Sequence, residues 1–311
     1  MIQQKKLYAP IVLFVYRRKF LVEQVIDSLM LNPEYRYSDL IIFSDGPKHD
    51  SDSRKVEEVR EYVTEIKGFN SIKIYTNDSN MGLANSFING ITQVLKEYKS
   101  AIFLEDDNVV STAFLSFMNT ALVEYEFNTN VICVTGYSHP FVPRRKHPYF
   151  LLGAETWSMG TWQRGWDLFN SDAQELLRTV DENKLKKKLS MYGTDFYSML
   201  TRQVEGKIDS WGVRWTVSAI CKQKYCYYPP APHCKNIGNT YDGTHSRIND
   251  SLLLSKNKLA KNFVNEFPRN IENQFLNSLS LRITMRRIDL FQKIRTVLSF
   301  EFLLSKLGRN K

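Results

Sequence analysis

The sequence lacks several features that would assign it to a class at once. None of its four cysteines forms a Cys-x-x-Cys pair, so we expect free thiols rather than a zinc site or a disulfide framework. No apolar run approaches the roughly 20 residues that span a bilayer. The apolar stretch 9–16 runs directly into Arg17-Arg18-Lys19 without a small-residue cleavage site, which favours a strand over a signal peptide. The sequence therefore predicts a cytoplasmic or peripheral protein.

The overall charge is basic. The 311 residues carry a formal net charge of +9, which favours an anionic partner such as nucleic acid, a sugar nucleotide or an anionic membrane. Charge alone does not choose among these partners. A hydrophobic content of 43% is sufficient for a sizeable core, in one large domain or two small ones.

The first 135 residues alternate between strand-like and helix-like patterns. Apolar or β-branched runs at 10–16, 39–44, 71–76 and 101–104 predict four strands. Helix-like periodicity between them predicts helices over 20–32, 53–66 and 82–98. This order predicts an α/β fold with a mostly parallel twisted sheet and helices on both faces.

Polar residues follow each of the four predicted strands. They are Arg17-Arg18, Ser44-Asp45-Gly46, Asn77-Asp78 and Glu105-Asp106-Asp107. Open α/β sheets bind ligands outside the carboxyl ends of their strands. The sequence therefore predicts a binding site where these four groups converge.

The pattern is looser after Thr135. Residues 136–153 are rich in Pro, His and Arg and predict a long loop, and residues 181–192 predict a polar helix. Residues 279–311 are basic and hydrophobic together, with Arg282, Arg286 and Lys293 on one face of a predicted helix. Such a helix suits an anionic membrane surface, although packing on the rest of the protein or on a second subunit is equally consistent.

The acidic triplet Glu105-Asp106-Asp107 has three interpretations. It could be a solvated turn, a carboxylate pair for general acid–base catalysis, or a site for a hard cation such as Mn²⁺ or Mg²⁺. Alternate side chains of a strand point the same way, so Glu105 and Asp107 can face one site. Adjacent carboxylates raise each other's pKa unless a cation lies among them. A metal that bridges Asp107 and a diphosphate would explain the triplet.

The segment IFLEDDNVVSTAFLSFM resembles the acidic motif of glycosyltransferases of the GT-A fold, in the Glu-Asp-Asp branch typified by the N-acetylglucosaminyltransferase that starts complex N-glycans. Other resembling segments are PIVLFVYRRKFLVEQVIDSL, LIIFSDGP, NMGLANSFINGI, SMGTWQRGWDLF and IDSWGVRW. The resemblance covers about 10–246. It implies a GT-A type sheet with a Rossmann-like nucleotide-binding half, followed by a helical C-terminal extension.

The resemblance implies an inverting, metal-dependent transfer of a sugar from a nucleotide-sugar donor, with a UDP-sugar expected. Asp107 would bind Mn²⁺ or Mg²⁺, and His245 would be a further metal contact. The implied donor-binding residues are Arg17, Ser44, Asp45, Gly82, Asn85, Glu105, Asp106, Trp157, Trp211 and Arg214. Several of these residues also have a plainer interpretation: Ser44 and Asp45 as a turn, Arg17 as part of a solvated charge run, the tryptophans as core residues, and Arg214 as a salt bridge at the edge of the core.

The catalytic base implied by the resemblance is Asp209. The related motif has two adjacent acids before its Trp, whereas here Asp209 is followed by Ser210. If the base belongs at the second position, Asp195 or Glu155 would replace it. Asp209 is also well suited to cap a helix.

The domain prediction is a catalytic domain over 1–250, with a nucleotide-sugar-binding half (1–135) and an acceptor-binding half (136–250), and a basic helical extension over 251–311. The expected acceptor is a glycan or a lipid-linked glycan, as in bacterial surface-polysaccharide assembly. The extension could then contact the inner face of the cytoplasmic membrane as a peripheral element. No nucleic-acid partner is expected, and a homodimer is left open.

Two other functions remain as alternatives. A nucleotidyltransferase that makes sugar nucleotides shares the fold class, but it usually has a Gly-rich phosphate loop after the first strand. That position here is VYRRKF, without glycine. A non-catalytic membrane-binding or nucleic-acid-binding protein would be driven by the positive charge, but no recognisable module with interleaved basic and aromatic residues is present.

Overall fold

A computed structural model describes residues 8–139, 145–238, 258–263, 265–271 and 279–284. The strands are β1 (Ile11–Val15), β2 (Asp39–Ser44), β3 (Ser71–Thr76), β4 (Ser100–Glu105), β5 (Asn108–Val110), β6 (Val131–Thr135), β7 (Tyr149–Leu152), β8 (Met159–Trp162), β9 (Tyr225–Tyr228) and β10 (Cys234–Asn236). The helices are α1 (Lys19–Met30), α2 (Asp50–Glu65), α3 (Leu83–Glu97), α4 (Phe114–Glu124), α5 (Gln163–Trp166), α6 (Ala173–Glu182), α7 (Phe196–Val204) and α8 (Trp211–Cys221).

Eight of these strands form one sheet in the order β3-β2-β1-β4-β8-β6-β9-β7. The β3-β2, β2-β1, β1-β4 and β6-β9 pairs are parallel, whereas the pairs that join β4 to β8, β8 to β6 and β9 to β7 are antiparallel. Strands β5 and β10 form a separate antiparallel pair. The predicted α/β class, with a mostly parallel sheet flanked by helices, is confirmed.

The two faces of the sheet carry two cores because successive side chains of a strand point in opposite directions. Every residue of β1 is buried. Its residues Ile11, Leu13 and Val15 pack with α1, α2 and α4, whereas Val12 and Phe14 pack with α3 and α8. This double burial explains the continuous apolar pattern of the strand.

A row of stacked aromatic rings, which we call the aromatic row, crosses the second face of the sheet. It runs from Tyr75 through Phe43, Phe14 and Phe87 to Trp211, with ring centroids 5.0, 5.4, 3.9 and 4.8 Å apart in that order. The row links the edge strand β3 with the first residue of α8. It therefore connects the first half of the chain to the helix that follows Asp209.

Two local predictions after Thr135 are wrong. The predicted loop 136–153 contains the buried strand β7, whose four apolar residues pair with β9. The predicted helix over 181–192 is interrupted, since α6 ends at Glu182 and Lys184 adopts a left-handed conformation with φ 54°. A short 3₁₀ helix, Leu185–Ser190, follows.

The described part of the C-terminal extension packs on the domain. Residues 279–284 are helical, and Leu281 is fully buried in the core cluster that contains Trp166 and Trp211. Arg282 is exposed. The remainder of the predicted basic helix lies outside the described residues. Within the described ranges, no helix has the length and apolarity required to cross a membrane.

Candidate functional site

The acidic triplet lies at the point where the strand order reverses. From β1 the chain moves to β2 and β3 on one side, and β4 then pairs on the other side of β1. Ligands of open α/β sheets bind in the crevice outside the carboxyl ends of strands at such a switch point. Arg17 and Arg18 leave the end of β1, and Glu105, Asp106 and Asp107 leave the end of β4. The structure therefore brings the basic pair and the acidic triplet to the same crevice.

Arg18 bridges two acids of the triplet. Its guanidinium forms an ion pair with Asp106, and its Nη2 lies 2.7 Å from Oδ2 of Asp107. All three side chains are mostly buried, with exposed fractions of 22% for Arg18, 8% for Asp106 and 9% for Asp107. Burial strengthens such a charge-assisted contact because water does not screen it.

One guanidinium is insufficient to neutralise the triplet. Burial, together with the charges of Asp107 and Asp106, raises the pKa of Glu105 to about 8. Burial also raises the pKa of Asp106 to about 6, against the opposing effect of Arg18. No described residue donates a hydrogen bond to the Glu105 carboxylate. When all four groups are ionised, two negative charges remain uncompensated.

The triplet fits a divalent cation in charge and in donor chemistry. Carboxylate oxygens suit Mg²⁺ and Mn²⁺, and Mg²⁺ is commonly held by one or two carboxylates plus substrate phosphates and water. Among the described residues, no three His, Cys, Asp or Glu side chains converge on one point that could hold an ion.

Asp107 is also contacted by the last residue of β10 and by the segment that follows it. Its Oδ1 accepts a hydrogen bond from Nδ2 of Asn236 at 2.7 Å, and its carbonyl accepts one from the Ile237 amide. A Cβ on Gly238 would lie 2.0 Å from Oδ2 of Asp107, so only glycine fits here. The adjacent Asn108 is fully buried, and its side-chain amide has no partner among the described residues.

Asp45 organises the loop that precedes α3. Its two carboxylate oxygens accept hydrogen bonds from the amides of Gly46, Met81 and Gly82 and from the side chains of Asn77 and Asn80. These donors occupy the hydrogen-bonding capacity of the carboxylate. Asp45 therefore shapes the rim of the crevice through this loop.

Gly82 and Asn85 lie at the start of α3. Gly82 is the residue before the helix and has φ 79°, a left-handed conformation that favours glycine. Asn85 is exposed, and its amide donates to the carbonyl of Met81. Both residues therefore lie beside the loop that Asp45 holds.

Arg17 and Ser44 have partners on α2. Arg17 forms an ion pair with the buried Asp52, and the Tyr16 hydroxyl donates to the same carboxylate at 3.0 Å. The Ser44 hydroxyl is buried and accepts a hydrogen bond from Nε of Arg60. The basic pair after β1 is therefore divided, since Arg17 contacts α2 and Arg18 contacts the acids.

Asp209 lies just before α8 and forms an ion pair with Arg214. Nη2 of Arg214 is 2.8 Å from Oδ1 of Asp209, whose side chain is 60% exposed. Ser210 caps α8 through a hydrogen bond to the Val213 amide, so Asp209 is not the capping residue. Asp195 caps α7 through the Ser198 amide. The structure thus gives Asp195 a capping role and leaves Asp209 accessible.

The predicted tryptophans differ in accessibility. Trp211 is buried and stacks on Phe87, whereas Trp157 is half-buried and packs edge-on against Tyr137 at 5.1 Å. Trp157 therefore has the more accessible ring of the two. Glu155, two residues earlier, is a partly buried carboxylate close enough to contribute to the raised pKa of Glu105.

Sequence reasoning includes Arg18 among the polar residues that follow the first strand but gives it no donor-binding role, and it does not select Arg60, Asn236 or Gly238. The position of Arg18 three residues after the end of β1 is the signal that places it at the site. The others are 16 or more residues from their partners, and no local pattern predicts those contacts. His245 lies outside the described residues.

No family model and no curated protein matches the sequence. Among solved structures, the chain is similar to a Pyrobaculum calidifontis mannosyltransferase, PcManGT, in complex with GDP-Man and Mn²⁺, with 12% identity, a TM-score of 0.36, and coverage of 61% of this chain and 55% of that one. A second is glucosyl-3-phosphoglycerate synthase from Mycobacterium tuberculosis with Mn²⁺ and UDP, with 13% identity, a TM-score of 0.34, and coverage of 56% and 66%. A third is a UDP-glucose pyrophosphorylase complexed with UDP-glucose, with 8% identity, a TM-score of 0.34, and coverage of 71% and 89%.

The matched part covers less than two thirds of the length of the first two proteins. All three TM-scores are below 0.5.

Proposed function

We propose that this protein is an inverting glycosyltransferase that transfers a sugar from a nucleotide-sugar donor, with UDP-sugars the first candidates, to a hydroxyl of a glycan or lipid-linked glycan. The observation that carries the proposal is the convergence of three carboxyl groups at the switch-point crevice, with Arg18 as their one described ion-pair partner. Buried like charges are tolerated when a cation neutralises them. A divalent cation that also binds a nucleotide diphosphate would neutralise them here.

The residues then divide into two groups. Asp107 would hold Mn²⁺ or Mg²⁺, and such a cation neutralises negative charge on the departing diphosphate. Arg18 is placed to contact phosphate as well, since it already borders Asp107. The loop held by Asp45 and the start of α3 would border the nucleoside.

On the acceptor side, Asp209 would remove the proton from the acceptor hydroxyl as its oxygen attacks the anomeric carbon. The bond between that carbon and the diphosphate oxygen breaks, the nucleoside diphosphate leaves, and the anomeric configuration inverts. Arg214 would hold Asp209 through their 2.8 Å ion pair.

The proposal is tested by thermal unfolding with Mn²⁺ and each of UDP, GDP and dTDP. We expect at least one nucleotide to raise the melting temperature by about 5 °C at a hundredfold excess over its dissociation constant, and only with the metal present. Asp107→Ala should abolish this increase, because it removes the proposed metal ligand. The matched control is Asp27→Ala, which removes an exposed carboxylate on α1 and should retain the full increase.

Two results would contradict the proposal. One is that none of the three nucleotides shifts the melting temperature with Mn²⁺ present. The other is that Asp107→Ala responds as strongly as the wild type. A nucleotidyltransferase is distinguished by incubating the protein with a UDP-sugar and pyrophosphate, since it would form UTP whereas a transferase would release UDP.

A further inference from the structure

Glu155 lies beside the acidic triplet through the pairing of two strands. β8 runs antiparallel to β4 with Met159 opposite Phe103, so the chain enters β8 near the carboxyl end of β4. Glu155, four residues before Met159, lies close enough to Glu105 to contribute to the raised pKa of that residue. On the other side, the Thr135 hydroxyl donates to the Trp157 carbonyl at 2.7 Å. The segment is thus fixed between the carboxyl ends of β4 and β6.

The Glu155 carboxylate has a defined direction but no cationic partner. Its Oε1 accepts a hydrogen bond from the Thr156 amide at 2.9 Å, and its Oε2 lies 3.4 Å from the Tyr228 hydroxyl. None of the described Lys, Arg or His side chains forms an ion pair with it. A partly buried carboxylate without a counter-ion is costly, which is typical of a group that contacts a ligand.

Glu155 and Glu105 are neighbouring carboxyl groups in one part of the crevice. Neither carboxylate has an ion-pair partner among the described residues, whereas Arg18 pairs with Asp106 and Asp107 on the other part. The rings of Tyr137, Trp157 and Tyr228 lie around Glu155, and burial raises the pKa of the Tyr137 and Tyr228 phenols so that both stay neutral. This part of the crevice offers hydrogen-bond acceptors and aromatic surface, and among the described residues no Lys or Arg forms an ion pair with Glu155.

We propose that Glu155 selects the charge of the transferred sugar, so that the site accepts a neutral or amino sugar and rejects an acidic one such as a uronate. The inference rests on the proposed function, because it assigns the sugar end of the same donor site. Hydroxyl and ammonium groups donate to carboxylates, whereas a sugar carboxylate would be repelled by an ionised Glu155. Glu155 is therefore the specificity-determining residue.

The test compares the affinities of UDP-glucose and UDP-glucuronate, each with Mn²⁺, by isothermal titration calorimetry. We expect the wild type to bind UDP-glucuronate about tenfold or more weakly. Glu155→Gln should reduce this ratio to about threefold or less, because the amide keeps the shape without the charge. Glu57→Gln, an exposed substitution on α2 with the same change in net charge, should leave the ratio unchanged.

If UDP with Mn²⁺ binds but the wild type binds UDP-glucose and UDP-glucuronate equally, this inference is wrong and the proposed function stands. The same holds if Glu155→Gln, with an unchanged melting temperature, keeps the wild-type ratio. If UDP itself does not bind, both this inference and the UDP-sugar proposal fail.

Discussion

His233 is a buried side chain that the fold holds in its neutral form. It is 2% exposed, its ring stacks on Phe117 at 4.8 Å, and its Nδ1 lies 2.8 Å from the Ser111 hydroxyl. Burial lowers the pKa of His233 to about 4. Protonation would place an unpaired charge directly before β10. The last residue of β10, Asn236, and the following residue, Ile237, both contact Asp107.

The lowered pKa predicts a loss of stability in acid. Between about pH 6.5 and 4 the unfolded chain binds a proton at His233 that the folded chain does not, so the free energy of unfolding falls as pH decreases. The loss from this residue is about 3 kcal/mol when complete. In urea unfolding at several pH values, His233→Gln should show a shallower decline, whereas the exposed His49→Gln should match the wild type. An identical decline in all three proteins would contradict the assignment.

At the scale of single residues, the sequence predicts the position of the acidic triplet at the end of a strand, but it does not predict which cation forms ion pairs with these acids. The position of Glu105, Asp106 and Asp107 at a strand end follows from the local apolar pattern. The pairing of Arg18 does not, because it is set by a contact across 88 residues that depends on β1 lying next to β4. Arg17 and Arg18 are adjacent in sequence, and only the fold separates their roles.

At the scale of elements, periodicity predicts the first four strands and three helices because each has a long, regular apolar pattern. β7 is only four residues long and lies among Pro, His and Arg residues, so its pattern is too short to identify. The helix predicted over 181–192 fails because the left-handed conformation of Lys184 ends the helical path. The helical segment 279–284 has a regular pattern, but the sequence does not show what its apolar side contacts.

That segment gives a prediction for the extension. Leu281 is fully buried, whereas Leu279, two residues earlier, is 44% exposed. Leu281→Ala should reduce the free energy of unfolding by about 2–5 kcal/mol, because it leaves a cavity between the helix and the domain. Leu279→Ala should reduce it by less than about 1 kcal/mol. Chemical denaturation measures both, and equal small effects would show that the segment does not stabilise the domain.

At the scale of the whole molecule, one sheet joins residues 1–135 with residues 136–250. β8, from the second half, pairs with β4 of the first half and with β6. This arrangement is not predictable from the sequence, because antiparallel insertion of a late strand depends on contacts far apart in the chain. The domain prediction of two halves in one catalytic unit remains a prediction.

The continuous sheet predicts a single unfolding transition. All five tryptophans, at 157, 162, 166, 211 and 215, lie in the second half, so their fluorescence reports on that half, whereas far-ultraviolet circular dichroism reports on the whole chain. We expect the two signals to give the same midpoint in urea, because neither half can leave the sheet without exposing the other. A fluorescence midpoint that precedes the dichroism midpoint would show that the halves unfold separately.

The aromatic row has a consequence for how the two substrates would meet. Stacked rings are stiff and barely compressible, so Phe14, Phe87 and Trp211 act as spacers of constant thickness between β1 and the start of α8. The separation between the end of β1 and the start of α8, which Asp209 precedes, is therefore set by solid packing rather than by loop conformation. In the proposed reaction, the distance between the donor and the acceptor would then be fixed by the scaffold before either substrate binds.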